Sequence, residues 1–304
     1  MKKIISLILV AALACCSVFA LGSCNNNNDD NLDAAYAKAL AAIDYDVADY
    51  ADAETLVVAM SPDFAPMEFY DTAKSGSDAI VGFDVLLAKF IAKELGMKLV
   101  IDPMSFDASM AAVSSGNADL AISGFSWTAE RAETFLISDY YVAGENETEQ
   151  ILITKAGTTI NSDTDFSGMK IGAQGGSLQQ LLVEEQLVTK GAELELYINI
   201  NDAATALATG EIDALAVAYG NGEALASDTI VLSDFYFEVE EKYKNNVILL
   251  NKNDSELLAA VNAALAKAMA ADLYDTWYEA CQIYAEVKTL DELGYDDEGN
   301  KITE

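Results

Sequence analysis

The chain has 304 residues, a formal net charge of −33 and no histidine. The missing histidine excludes a Cys/His metal site and a Ser–His or Cys–His nucleophile, and so acidic a surface repels nucleic acid and anionic lipid. At 52% hydrophobic, the composition is globular and the length is sufficient for two lobes.

The chain opens MKKIISLILVAALACCSVFALGSC. Lys2 and Lys3 are a basic start, and Ile4 to Ala20 is an apolar run too short for a bilayer helix, so this reads as an export signal. Leu21-Gly22-Ser23-Cys24 resembles the bacterial lipobox, which implies loss of residues 1–23 and lipidation of Cys24. The "CNNNNDDN" that follows has no apolar residue and reads as a solvated tether to a membrane surface. Cys15 and Cys16 leave with the leader. With Cys24 acylated no intramolecular disulfide can form, and Cys281 reads as a buried small hydrophobe.

Residues 24–54 hold the tether and an alanine-rich acidic stretch in which Leu32 to Ile43 has the makings of a short helix. "TLVVAMS" is then a β-branched apolar run, the mark of a strand buried on both faces. In "GFDVLLAKFIAKELG", Val85, Leu86, Phe90, Ile91 and Leu95 fall near helical spacing, Asp84 stands where an N-cap belongs, and Gly96 is the C-cap. "KLVIDPM" reads as a strand, "FDASMAAVSSG" as a helix and "ADLAISGF" as a strand. The second half repeats the rhythm. "QILITK", "KIGAQ", "ELELYI" and "IDALAVAY" read as strands, "SLQQLLVEEQLV" and "NDAATALATG" as helices. "NNVILLNK" leads into a long helical stretch broken near Ala271–Asp272. Alternation of this kind predicts an α/β protein of two lobes, each a parallel sheet with helices on both faces. The ligand is then expected outside the carboxyl ends of the strands, where the turns "SPDF", "SGFS" and "QGGS" lie.

Leu56 to about Val287 resembles the bacterial extracellular solute-binding proteins of family 3, the amino-acid receptors of ABC importers. The blocks that carry the resemblance are "PDFAPMEF", "IVGFDVLLAKFIAKELG", "SSGNADLAISGFSWTAERAETFLISDYY", "FSGMKIGAQGGS" and "ATGEIDALAV", in that order. The resemblance implies a two-lobed, type II periplasmic-binding-protein fold that closes like a Venus flytrap. It places lobe 1 at 55–143 plus 247–287 and lobe 2 at 144–246. The hinge crossings then fall near Ala143–Glu147 and Lys244–Val247, with 288–304 as a C-terminal extension of no assigned role.

Arg131 is the only arginine in the chain. If Thr128 caps the helix after "SGFSW", this cation sits in the first turn, where it opposes the helix dipole. A local rule broken at one position points to function. The resemblance gives Arg131 a bidentate grip on a ligand carboxylate, Ser126 a hydroxyl contact and Gly124 a close backbone approach. It makes Phe64 and Phe106 the rings that sandwich the ligand, and Ser177 a second-lobe contact to the same carboxylate. A surface Arg131 paired with Glu130 or Glu133, aromatic core roles for the two rings and an N-cap role for Ser177 are the plainer readings. Asp119 and Asp213, just before strands, read as structural.

Two positions depart from the family pattern. The aspartate that usually holds an α-ammonium is Ala218 here, and a helper acid in the first turn is Ser61. Either another acid substitutes (Asp63, Glu68, Asp107 or Glu223, with Tyr219 as a hydroxyl donor) or the ligand carries no α-amino group. The expected activity is a non-enzymatic, monomeric, lipid-anchored extracytoplasmic receptor. It binds a small carboxylate, an amino acid first among them, and hands it to an ABC permease without cofactor or metal. Competing readings are a cleft enzyme similar to cyclohexadienyl dehydratase, a receptor for a non-amino carboxylate, and a sensor domain.

Overall fold

The computed structural model describes residues 29–141 and 148–292. In the first lobe, β1 (Thr55–Met60) lies between β5 (Lys98–Pro103) and β6 (Leu120–Ala121), parallel to both. β13 (Leu249–Leu250) then adds antiparallel to β6, and β7 (Leu136–Ile137) antiparallel to β13. The second lobe repeats this order. There β10 (Glu193–Tyr197), β9 (Lys170–Gln174) and β11 (Ala214–Ala218) run parallel, with β8 (Gln150–Lys155) and β12 (Ile230–Tyr236) added antiparallel. A small sheet of β2 (Asp63–Phe64), β3 (Glu68–Tyr70) and β4 (Ile80–Val81) completes the strands described.

The expected α/β architecture in two lobes is present, but the sheets are mixed and not all-parallel. The cause lies in the crossings: β8 and β13 are the first strands after each passage between lobes, and each enters its sheet antiparallel. The second passage runs between Tyr243, packed on the second-lobe core, and Val247, buried in the first. The expected first passage at 143–147 lies outside the described residues, as do Cys24 and residues 293–304; the first residues of the expected 288–304 extension instead continue the last helix, Leu273–Glu292.

Most helices form where the spacing predicted them; the helix starting at Tyr219 is an addition, its first residue taken from the end of the expected strand "IDALAVAY". α2 (Phe83–Leu95) buries Val85, Leu86 and Ile91 and ends on Gly96 at φ 68°, a left-handed cap open to glycine at little cost. α3 (Phe106–Ser115), α4 (Ala129–Thr134), α5 (Leu178–Gln186), α6 (Ile200–Thr209) and α7 (Tyr219–Leu225) follow. α8 (Ser255–Ala270) and α9 (Leu273–Glu292) are separated by Asp272 at φ 55°. One expected cap is corrected. Gly82, at φ 122° and ψ −179°, holds the cap position of α2, and Asp84 lies inside the first turn.

α1 (Asp29–Ile43) is docked on the first lobe. Tyr36, Ala39 and Ile43 are buried, and the Tyr36 ring stacks on Tyr284 of α9 at 4.8 Å. Its hydroxyl accepts a hydrogen bond from the Gly82 amide at 3.2 Å. Burial pushes that phenol well above its ordinary pKa. Cys281 is a free, buried thiol beside this cluster.

Candidate functional site

Between the lobes is a cavity of about 30 Å³ of water-accessible space. The first lobe contributes Phe64, Phe106, Ser123, Gly124, Ser126 and Arg131 to its wall, with Asn246 from the crossing. The second contributes Gln150, Gln174, Ser177, Leu178, Gln179, Ile200 and Ala218. Six of the eight candidate ligand residues therefore share one cavity. Ser61 and Tyr219 are not in its wall. The Ser61 hydroxyl instead donates to Asp63 Oδ1 at 2.7 Å, and Tyr219 stacks on Tyr236 at 6.4 Å.

Thr128 caps α4, its Oγ1 accepting the Arg131 amide at 3.1 Å. That cap sets the turn from which the Arg131 side chain runs inward, leaving the residue 6% exposed. Nη1 donates to the Ser126 carbonyl at 2.6 Å and Nη2 crosses to the Gly176 carbonyl at 2.8 Å. The guanidinium lies over Phe125 at 5.1 Å and Phe106 at 5.6 Å, a cation–π seat. Among the described residues no carboxylate comes within 4.0 Å of it, so the surface pairing with Glu130 or Glu133 does not form. Burial lowers its pKa to about 10, which leaves it charged at neutral pH.

The neighbouring residues have local roles as well. Gly124 stands at φ 56°, where a Cβ would meet the Phe64 ring at 2.6 Å, so its close approach is to that ring. Phe64 packs against both lobe cores. Ser177 caps α5, accepting the Gln180 amide at 3.1 Å, and so sits at the positive end of that helix. Asp119 and Asp213 accept the amides of Val57 and Lys170, which pins neighbouring strands.

Behind the Ser123–Gly124 turn lies a buried acid pair. Asp84 Oδ2 accepts the Gly124 amide at 2.8 Å and the Tyr141 hydroxyl at 3.2 Å. Ser123 donates its hydroxyl to Glu68 Oε1 and accepts the Ser61 amide at 3.0 Å. Glu68 Oε2 and Asp84 Oδ1 are buried with no hydrogen-bond partner among the described residues. Burial raises Asp84 to about 7, and burial plus the charge of Asp84 raises Glu68 well above its ordinary value. Unfolded carboxyls titrate near 4. Between there and about 7 the folded chain therefore holds a proton that the unfolded chain releases. The pair's contribution to stability is present at low pH and lost as pH rises through the folded values. The expected result is a slope of up to about 1.4 kcal/mol per pH unit from this proton. Urea midpoints from pH 5 to 8 should show Asp84→Asn flattening that slope, while the Asn carbonyl can still accept the Gly124 amide and the Tyr141 hydroxyl.

Asp63 ties the lobes together. Its Oδ2 accepts Gln174 Nε2 and the Ile200 amide, both at 2.9 Å and both from the second lobe. Burial pushes Asp63 above the usual carboxylate range against the hydrogen bonds that lower it. Asn221 Nδ2 reaches the Ala65 carbonyl at 3.0 Å, again across the cleft.

Gln150, Gln174 and Asn246 are wall residues that the motif reading did not name. Gln174 ends β9 just before Gly175-Gly176, so the strand-end rule points to it. Gln150 and Asn246 open or precede antiparallel strands and reach the cleft from amino ends. Gln150 is paired with Ala218 across β8 and β11.

Two α/β lobes around a polar cavity with a buried arginine define a cleft-type solute-binding protein. The chain belongs to the bacterial extracellular solute-binding proteins, family 3, whose model matches residues 56–280. It is 28% identical over 265 residues to the arginine-binding extracellular protein ArtP of Bacillus subtilis, covering 87% of this chain and 92% of that one. It is also 28% identical to the ABC transporter glutamine-binding protein GlnH of Bacillus subtilis, covering 92% and 97%. A solved structure of the substrate-binding protein AbpA from Streptococcus pneumoniae, bound to L-arginine, superposes with a TM-score of 0.67 at 33% identity. It covers 76% of this chain and 95% of that one.

Proposed function

We propose that this chain is the extracytoplasmic receptor of an ABC importer, that it traps a small carboxylate of amino-acid size in the interlobe cavity, and that the permease reads the closed form. The observation that carries this reading is Arg131: a charged, buried guanidinium facing a cavity, with carbonyl oxygens as partners and donors left for a carboxylate. Arginine and glutamine in the relatives' names support a ligand of that size and class. The solute enters while the lobes are parted, and contacts made on closure select the closed state.

In this reading lobe 1 is 55–143 plus 247–287 and lobe 2 is 144–246, and Arg131, Ser126, Gly124, Phe64, Phe106 and Ser177 contact the ligand. Cys24, cleaved to the mature terminus and acylated, anchors a monomer to the membrane, and residues 25–54 supply reach and the docked α1. In this reading the chain acts as a receptor and not as an enzyme, as the transport binding proteins it resembles support. A thermal-shift screen over amino acids and simple carboxylates tests the receptor reading, and a flat response to both sets overturns it. Turnover of prephenate or arogenate by the purified protein would overturn the non-enzymatic part.

A further inference from the structure

An amino acid brings two charges to its receptor, and the cavity wall offers a partner for one. Arg131 is the only charged side chain in that wall among the described residues. The start of α5, at Ser177, adds a second positive feature beside it, close to where Nη2 meets Gly176. Ala218 contributes a methyl group on the opposite lobe.

Among the described residues, none of the acids weighed as a substitute lines the cavity. Asp63 accepts Ser61, Gln174 and the Ile200 amide. Glu68 and Asp84 are fully buried behind the Ser123–Gly124 turn, Glu68 accepting Ser123 and Asp84 accepting Gly124 and Tyr141. Glu223 accepts from Gln282 Nε2 at 2.9 Å and is not in the wall. Asp107 is exposed, alongside Gly175 and Gly176 and outside the wall. What the wall does supply is neutral: the Ser126 hydroxyl, the Asn246 amide and Gln174 Oε1, the Gln174 Nε2 hydrogens being held by Asp63 and the Ile198 carbonyl. Those groups suit a hydroxyl or keto oxygen, whereas an ammonium buried there would lack a counter-charge.

We infer that the solute selected by this cleft carries a carboxylate and no ammonium group: a 2-oxo acid, a 2-hydroxy acid or a simple carboxylic acid. The inference rests on the receptor reading and narrows its ligand class. It sets this chain apart from the arginine-bound relative it resembles.

The test is calorimetric titration of the purified protein with matched sets that differ at one atom. Leucine is compared with 4-methyl-2-oxopentanoate and 2-hydroxy-4-methylpentanoate, phenylalanine with phenylpyruvate and phenyllactate, and alanine with pyruvate and lactate. L-arginine and L-glutamine are run alongside. At least one acid is expected to bind, with its amino acid roughly 30-fold weaker or more. An amino acid that binds more tightly than both of its deaminated partners overturns the inference and leaves the receptor intact. No binding by any compound overturns the receptor reading itself. In Ala218→Asp the order should reverse toward the amino acid, while Ala218→Asn, of similar size and uncharged, should keep the wild-type order. A reversal in Ala218→Asn as well would show that shape, not charge, sets the preference, and would also overturn the inference.

Discussion

Arg131→Lys should cost roughly 10- to 100-fold in ligand affinity. An ammonium on a flexible stem can reach one of the present acceptors, Ser126 O or Gly176 O, but it cannot bridge both and still present a fork to a carboxylate. It also stacks less well on the Phe106 and Phe125 rings beneath the guanidinium. The ligand-free protein will soften too, because the wild-type side chain already joins the lobes through Gly176. Titration calorimetry separates the two effects. A variant with wild-type affinity would show that the carboxylate is held elsewhere.

Gly82→Ala should be the most damaging single methyl in the first lobe. Gly82 sits at φ 122°, a region nearly closed to other residues, and an added Cβ would lie 2.3 Å from the Met67 carbonyl oxygen and 2.9 Å from that of Pro66. Those same carbonyls accept the amides of Asp84 and Phe83, so the backbone cannot retreat without losing the start of α2. The expected loss is about 4 kcal/mol or more, lowering the melting temperature by roughly 10 °C. Gly96→Ala, whose Cβ would meet nothing within 4 Å, is the control for backbone strain without a clash.

The alternation of strands and helices was legible because short β-branched apolar runs such as "TLVVAM" and the period-3.6 pattern of "FDVLLAKFIAKEL" survive in the sequence. Arg131 was legible because it is the lone arginine and has the wrong sign for its helix turn. The antiparallel insertion of β8 and β13 was not, since strand direction is set by the crossings and leaves no mark in a hydrophobic run. For that reason Gln150 and Asn246, which reach the cleft from amino ends, escaped a rule built on carboxyl ends. Asp84 looked like a cap by position. Only the three-dimensional placement of Gly124 and Tyr141 shows that its carboxylate turns inward, with Gly82 doing the capping.

The Asp63 bridge to Gln174 and Ile200 gives the receptor a setting that no solute touches. Contacts between the lobes alone favour the shut form, and the measured dissociation constant is the intrinsic one divided by the fraction of molecules competent to hold ligand. Asp63→Asn keeps the shape and removes the charge that meets the start of α6. Isothermal titrations should show every ligand weakened by one shared factor, roughly 3- to 10-fold, with their ranking unchanged. Sensitivity and selectivity are thus carried by different residues, so the concentration range over which the receptor fills can drift without altering what it carries.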